Sequence, residues 1–535
     1  MNKYELCTQL ENYEAIRKHI VGILEKNHID KRSQNETLLV FEALYNDMIE
    51  RGIPGNTQVT VWKAGHFGSV NIRFQFRGPF YSPLSDDADD LNADQRIMHV
   101  FWDRVEHRYH DGTNFLTLVT KRSVLMALRN IGIAMALGIA AFIVIMSFFE
   151  SPEQQESIRT WVFQGEMLFA KAMLSIGAPV TFFSLLRNLT NMYILREGDS
   201  MMRSIQGKAL LSSAVAVLLA VCAAIIASIP MALIYYGGTA SISGILPGAL
   251  DVDVDLSLIE LFQSIVSSSI FETFSAISPF PIIIGVVLTA YALCASGNYF
   301  ESIKKVVDGA YVLFSKMLTA LMFTLPFFFF LAILEGMLRQ GPGAVIYSVS
   351  MAVFVPVTMI LLALFYVVRL AVRGISPFPF IKKLGPLLKE NLTINSTIEA
   401  VPFNLRYCVS KYGFDRKMSE RVLPMLAQIN LDGNCFIITL IALMLMFTTG
   451  TGISWLDVAI VGLTVFFLSL GAPNQPGSIL IGLLVIFSYM NALDFVALAI
   501  FSEAILGPLL SVANAAGDIV TIAITEKQQK ASGRA

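Results

Sequence analysis

The chain has 535 residues, 55% of them apolar and 15% charged, with a mean hydropathy of +0.61. That balance excludes an ordinary soluble globular protein and points to a chain that crosses a membrane many times. A formal net charge of −2 gives no electrostatic reason for a nucleic-acid partner.

Residues 1–121 read as a small soluble α/β domain. Leu38, Phe41, Leu44, Tyr45 and Met48 recur at helical spacing within Asn35–Arg51. Val59-Thr60-Val61 and Val70–Arg77 alternate as half-buried strands do, and Gly65 and Gly68 between them suggest a hairpin. Ser82–Asp94 is acidic and reads as a loop, Asp94–His107 as a helix, and Phe115–Lys121 as a last strand. Glu42-Ala43-Leu44-Tyr45-Asn46, with Ile49 and Gly52 after it, resembles the Asn-bearing helix of the histidine-kinase-type ATPase fold. Asp111–Leu118 resembles that fold's closing turn and strand. The resemblance implies an Asp in a D-x-G motif that reads adenine, but the chain has Phe76-Arg77-Gly78-Pro79 there, so it implies the fold more than nucleotide binding. Glu106–His110 holds two histidines but no further ligand in reach by spacing, so it reads as a solvated helix end rather than a metal site. All six histidines lie at or before His110, which leaves the membrane part without a histidine proton relay. The N-terminus is polar, with no apolar core of signal-peptide length.

Residues 122–527 read as the membrane part, and 528–535 as a tail. Spans are expected at about Ile131–Phe149, Met167–Ile194 and Ala209–Tyr236. A polar acidic stretch, Gly237–Asp255, is followed by broken segments at about Leu256–Phe274 and Pro279–Ala295. Further spans are expected at about Tyr311–Leu338 and Val345–Val372. Lys and Arg gather at Lys121, Arg122 and Arg129, at Arg196, Arg203 and Lys208, at Lys304 and Lys305, and from Arg369 to Lys389. The opposite loops carry almost none beyond Arg159 and Arg339, which places both termini in the cytoplasm by the positive-inside rule.

Two later stretches are too interrupted to be simple spans. Leu384–Arg406 contains Asn395-Ser396-Thr397-Ile398-Glu399-Ala400-Val401-Pro402, and Leu456–Leu493 contains Ser469–Gly477 with two prolines and two glycines. Each reads as a re-entrant hairpin whose tip lines a cavity, the pattern of a transporter site at the interface of inverted repeats. Between them lies Asn430-Leu431-Asp432-Gly433-Asn434, followed by an apolar run from Phe436. Alone, Asp432 fits either a cation site at a helix break or a helix end in interfacial water. A second Asn/Asp pair, Asn514 and Asp518, lies four residues apart on one helix face in another apolar run. Two such pairs at membrane depth supply the oxygens and charge that a hard cation requires.

These two motifs resemble the N-M-D-G-T and D-x-x-R-T-x-x-N-V-x-G-D motifs of the dicarboxylate/amino acid:cation symporters, the glutamate-transporter type. The likeness covers roughly residues 125–527 and implies eight transmembrane helices plus two re-entrant hairpins, elevator-type alternating access, a homotrimer and a bacterial inner-membrane location. It implies one cation site from the Asp518 carboxylate with backbone oxygens of Leu426, Asn430 and Asn514. A second would use Asp432 and the Asn430 amide with Ser212 or Ser213, although Ala209 replaces a family Tyr there. A third would use backbone oxygens of Gln428, Ser469, Leu470 and Ala472. Oxygen ligation suits Na+, and a proton on an acid remains the alternative coupling ion; no organic cofactor is expected.

On the substrate side the resemblance implies Ser396, Thr397, Asn434, Gly471, Pro473, Gly507, Leu510, Ser511 and Asn514. Gly507 replaces the acid that holds the substrate amine, and Leu510 replaces the arginine that holds a distal carboxylate. An unpaired buried carboxylate is costly, so acidic amino acids are not expected substrates. Glu399 either meets a cationic group of the solute, carries a proton after desolvation, or points into cytoplasmic water. The expected function is a secondary active symporter for a small organic solute rather than an enzyme. The alternative is a transporter-derived sensor whose N-terminal domain reports binding. No G-x-x-x-x-G-K-[ST] phosphate loop occurs, which argues against an ATP-driven pump.

Overall fold

Side chains alternating at period two lay down the N-terminal sheet. The computed structural model describes residues 2–6, 10–27, 29, 31–52, 57–64, 69–81, 105–119, 124–196, 200–235, 279–449, 454–473, 475–490 and 492–531. Contacts divide the chain into two units, Met1–Ala127 and Leu128–Ala535.

The first unit has strands β1 (Asn2–Leu6), β2 (Thr57–Ala64), β3 (Ser69–Arg77), β4 (Val105–His110) and β5 (Thr113–Val119), with helices α1 (Leu10–Lys26) and α2 (Lys31–Glu50). The sheet is antiparallel in the order β1-β2-β3-β5-β4. Val59 and Val61 face Phe74 and Ile72, which in turn face Leu116 and Leu118. All six are buried, and they meet Ile16, Ile20 and Leu24 of α1 and Phe41, Leu44 and Met48 of α2. The two expected strands β2 and β3 are present; β1 and α1 are additional.

The expected helix Asp94–His107 is corrected at its end, since Val105–His107 belongs to β4. Asp111 and Gly112 both have positive φ, 49° and 69°, as a type I′ hairpin turn requires. That turn pairs β4 with β5, so the chain before it is extended. Glu106–His110 is therefore a strand and not a helix end. Ser82–Asp94, the remainder of the expected helix, Gly65, Gly68, Gly237–Asp255 and Leu256–Phe274 lie outside the described residues.

In this unit Asp47 is buried beneath two partners. The Tyr81 hydroxyl donates to its Oδ2, and Arg51 pairs with the same carboxylate at 3.1 Å while lying over the Tyr81 ring. Burial, reinforced by Asp47, pushes the Tyr81 phenol far above its ordinary 10.0. A raised phenol contributes stability that is complete below the unfolded value and is lost as pH rises above it. Tyr81→Phe is expected to cost about 1.5–3 kcal/mol, the range for a bond to a charged group. Hydrogen exchange of α2 and β3 amides in the full chain should then quicken about ten- to a hundredfold, and its alkaline dependence should weaken.

The second unit begins with the long helices α3 (Val124–Phe148), α4 (Pro152–Arg196) and α5 (Ser200–Tyr235). Next come α6 (Pro279–Cys294), α7 (Phe300–Met322), α8 (Leu325–Gln340) and α9 (Pro342–Val372). The expected single span Tyr311–Leu338 is corrected: the helix stops at Met322 and restarts at Leu325, where Pro326 suits a first helical turn. Among the described residues six helical segments are long and apolar enough to cross a membrane, or seven if the bent pair Pro281–Cys294 and Gly297–Met322 is one span. Arg129–Phe148 is largely exposed although strongly apolar, with Ile133, Leu137 and Ile143 uncovered. Such a surface is stable against lipid and not against water.

The centre of the unit is Arg416–Thr448, which is almost wholly buried. It consists of α12 (Arg416–Ile429) and α13 (Asp432–Thr449), separated by Asn430 and Leu431. Before it stand α10 (Pro377–Ile394) and α11 (Val401–Tyr407), joined through residues 395–400. Asn391 and Asn404 exchange two buried amide hydrogen bonds, 2.7 and 3.2 Å, which tie these two arms together. After it come α14 (Trp455–Leu470) and α15 (Ser478–Tyr489), then α16 (Val496–Ala531). The expected tail from 528 therefore begins inside α16.

Candidate functional site

The site forms where α12 breaks. Asn430 leaves helical geometry at φ −98°, ψ 70°, and its N–H still closes on the Leu426 carbonyl at 2.8 Å. Asp432 opens α13, where a helix N-terminus favours a carboxylate. Both side chains are fully buried, and Asp518 on α16 is 2% exposed.

The two carboxylates have different surroundings. Asp432 accepts from the Ser212 hydroxyl at 2.7 Å, from Ser213 at 2.8 Å and from Tyr366 at 2.8 Å. Asp518 accepts from the Asn430 amide at 3.0 Å, and among the described residues no Lys or Arg pairs with it. The other amide atom of Asn430, Oδ1, is buried without a partner. Tyr366 of α9 reaches the Asp432 carboxylate, whereas Ala209, at the position of the family Tyr, has no hydroxyl.

Helix α16 comes unusually close at Gly517. A Cβ there would lie 2.6 Å from Asp432 Oδ2 and 2.9 Å from both Asn430 Nδ2 and Tyr366 Oη. All three atoms are ends of side chains, but each is buried and hydrogen-bonded, so making room strains those bonds. Gly517→Ala is expected to lower the thermal midpoint in detergent, at an overpacking cost of about 1–3 kcal/mol, and to separate Asp432 from its hydroxyl donors.

Asn514 joins three elements. Its Oδ1 accepts from Gly433 N at 2.8 Å, and its Nδ2 donates to Asn434 Oδ1 at 2.9 Å and to Thr397 Oγ1 at 3.3 Å. The structure therefore brings Asn430, Asp432, Asn434, Thr397, Ser212, Ser213, Asn514 and Asp518 together. Asn434 Nδ2 is a buried donor without a partner. Ser396 is buried and accepts from Glu399 N at 3.3 Å, while Glu399 itself is exposed. Ser511 and Leu510 are buried on α16, and the Leu510 carbonyl would lie 2.6 Å from a Cβ on Gly433.

The backbone group gathers separately, against α4. Asn188 Nδ2 donates to Leu470 O at 2.7 Å and to Gln428 O at 3.3 Å, and Ser184 donates to Ala472 O at 3.3 Å. Gly471 sits so close to α4 that a Cβ would lie 2.9 Å from the Thr181 carbonyl. Ser469 is buried beside these residues in sequence, and Tyr311 donates to the Pro473 carbonyl at 3.3 Å. Asn474 lies outside the described residues.

Four functional candidates escape a reading of the motifs: Asn188, Tyr366, Arg369 and Glu503. Glu503 is buried on α16, one turn before Gly507, and a Cβ on Gly507 would lie 3.2 Å from its Oε1. It accepts from the backbone N–H groups of Gly477 at 2.7 Å, Ile479 at 3.0 Å and Leu480 at 3.1 Å, capping the start of α15. A carboxylate inside an apolar run is a sequence signal in its own right.

Comparison with known proteins agrees with this geometry. Residues 127–528 match the model of the sodium:dicarboxylate symporter family. A stretch of 156 residues, 29% of this chain, is 26% identical to excitatory amino acid transporter 3 of Mus musculus. Another of 153 residues, 28% of this chain, is 24% identical to the glt-4 protein of Caenorhabditis elegans, whose name describes sodium-dependent excitatory amino acid transport. The matched stretches span 30% and 31% of those relatives' lengths. With three quarters of its length under one family model, and with both Asn/Asp pairs of that family's motifs meeting at a broken helix, the chain belongs to the sodium:dicarboxylate symporter family.

Proposed function

We propose that the chain is a secondary active symporter that couples inward movement of Na+ to uptake of a small organic solute. The family is one of transporters and not of enzymes. The observation that carries the reading is Asp518: a buried carboxylate with no cationic side chain beside it among the described residues, next to the orphaned Oδ1 of Asn430 at a helix break. A buried charge without a partner is unstable, and a dehydrated Na+ held by that oxygen set satisfies it. A proton on Asp518 is the competing solution.

The solute carries at most one carboxylate, because Leu510 offers no charge for a second. Asn434 Nδ2 supplies a buried donor for an acceptor group of that solute. In this reading the protein has eight spans, and the pairs α10/α11 and α14/α15 are re-entrant hairpins. The arms α14 and α15, of 16 and 12 residues, are each shorter than the roughly 20 residues a span needs. Inverted repeats, elevator movement, a homotrimer, cytoplasmic termini and a bacterial inner-membrane location complete the proposal. Residues 1–121 form a degenerate ATPase-type domain in it.

A second reading is favoured by the separate N-terminal core together with the uncharged Gly507 and Leu510: a membrane sensor that binds solute and reports it. Radiolabelled uptake into proteoliposomes over a solute panel, with and without a Na+ gradient, separates the two. Gradient-driven accumulation is the expected result; saturable binding with no accumulation for any solute would establish the sensor.

A further inference from the structure

Arg369 stands three residues after Tyr366, so both side chains leave one face of α9. Its Nη1 donates to Ser212 Oγ at 2.7 Å, and that hydroxyl donates onward to Asp432 Oδ2 at 2.7 Å. Nη2 donates to Thr521 Oγ1 on α16 at 3.2 Å, and the guanidinium lies over the Phe365 ring. Two hydrogen bonds thus link a guanidinium to a fully buried carboxylate. Arginine does not lose its proton in proteins, so the positive charge is permanent.

The hydroxyls show what this charge replaces. A sodium ion is held by oxygen lone pairs. Ser212, Ser213 and Tyr366 instead each turn a proton toward Asp432, and Ser212 spends a lone pair on Arg369. The carboxylate is satisfied by three donors and a nearby fixed cation. Among the described residues Asp518 has neither, with one amide donor and no basic group. The two Asn/Asp pairs are alike in sequence, yet one is electrically complete and the other is not.

We propose that Arg369 is a tethered cation for Asp432, occupying the electrostatic role of a second sodium ion. The inference rests on the sodium-coupled reading given above and sharpens it. Asp518 holds a mobile ion, Asp432 holds a built-in one, and the chain couples to one sodium fewer than its two motif carboxylates suggest.

The test is a Na+ titration of the thermal stability of the purified full-length protein, with choline keeping ionic strength constant. Above its dissociation constant, each bound ion adds about a tenfold gain in the folded-to-unfolded ratio per tenfold rise in Na+. Arg369→Leu should steepen that dependence by one ion, because Asp432 then lacks its internal partner. Arg369→Lys, which keeps the charge, should retain the wild-type slope. The double variant Arg369→Leu with Asp432→Asn removes both charges together and should also keep the wild-type slope.

A double variant that loses one ion relative to wild type overturns the proposal, since Asp432 would then already hold sodium. An unchanged slope in Arg369→Leu overturns it as well. Should Arg369→Leu fail to fold, the double variant and Arg369→Lys decide between the same outcomes. A wild type with no Na+ response removes the sodium-coupled reading instead, and the tethered charge then stands or falls on whether Arg369→Leu acquires one.

Discussion

Asp518→Asn is expected to weaken Na+-dependent stabilisation by about tenfold or more while leaving the protein folded. The substitution is isosteric, and the Asn430 amide that now donates to Asp518 keeps an oxygen to face. What disappears is the formal charge. A unit charge pair about 4 Å apart at an effective dielectric of about 20 is worth about 4 kcal/mol, so even a third of that is about a tenfold loss of affinity. The check is the same Na+ titration, in which the variant's rise in thermal midpoint should need about tenfold or more higher Na+ than wild type. A wild-type response in a folded Asp518→Asn protein removes this carboxylate from the cation site.

Glu503→Ala is expected to be the most damaging single change outside the cation site. Its carboxylate accepts from three backbone N–H groups at the start of α15, all buried with it. Removing the acceptor leaves donors that the protein interior does not satisfy, at about 1–3 kcal/mol each. The total, about 3 kcal/mol or more, appears as a lower thermal midpoint and as faster hydrogen exchange at Gly477, Ile479 and Leu480. Glu503→Gln keeps one acceptor oxygen but turns an NH2 toward backbone donors, so it should fall between wild type and alanine. Equal exchange at these three amides in all three proteins would show that α15 finds its cap elsewhere.

The parts that were legible in the sequence are those with a local signature. Strands β2 and β3 are half-buried, so Val59, Val61, Ile72 and Phe74 alternate with polar residues. Asp432 and Asp518 stand out because a carboxylate in an apolar run is expensive. Other features have no such signature. The interruption at Phe323 and Thr324 falls inside an apolar run, where composition sees only hydrophobicity, and Pro326 was its one mark. Strand β4 was misread because its pairing depends on the Asp111-Gly112 turn behind it.

Tyr366, Arg369 and Asn188 reach the site from helices far away in the chain, and nothing near them in sequence indicates their partners. In sequence Arg369 reads only as a loop charge, and nothing local signals its contact with Ser212. Glu503 carried the same signal as Asp518 but lies outside the family motif. The motif names the sites of a family; the electrical completeness of each site depends on residues that the motif does not contain.

Asn188 has a bearing on time as well as on shape. One amide group on α4 holds carbonyls from two other elements, Gln428 at the end of α12 and Leu470 at the end of α14. Because a single rotor makes both bonds, they break in one event. Two bonds worth about 1 kcal/mol each correspond to about a thirtyfold change in how often thermal motion releases them. Any passage of α12 and α14 across α4 is therefore a discrete step with a waiting time, and not a continuous glide. The residue at position 188 would then contribute to the length of that wait through these two bonds alone.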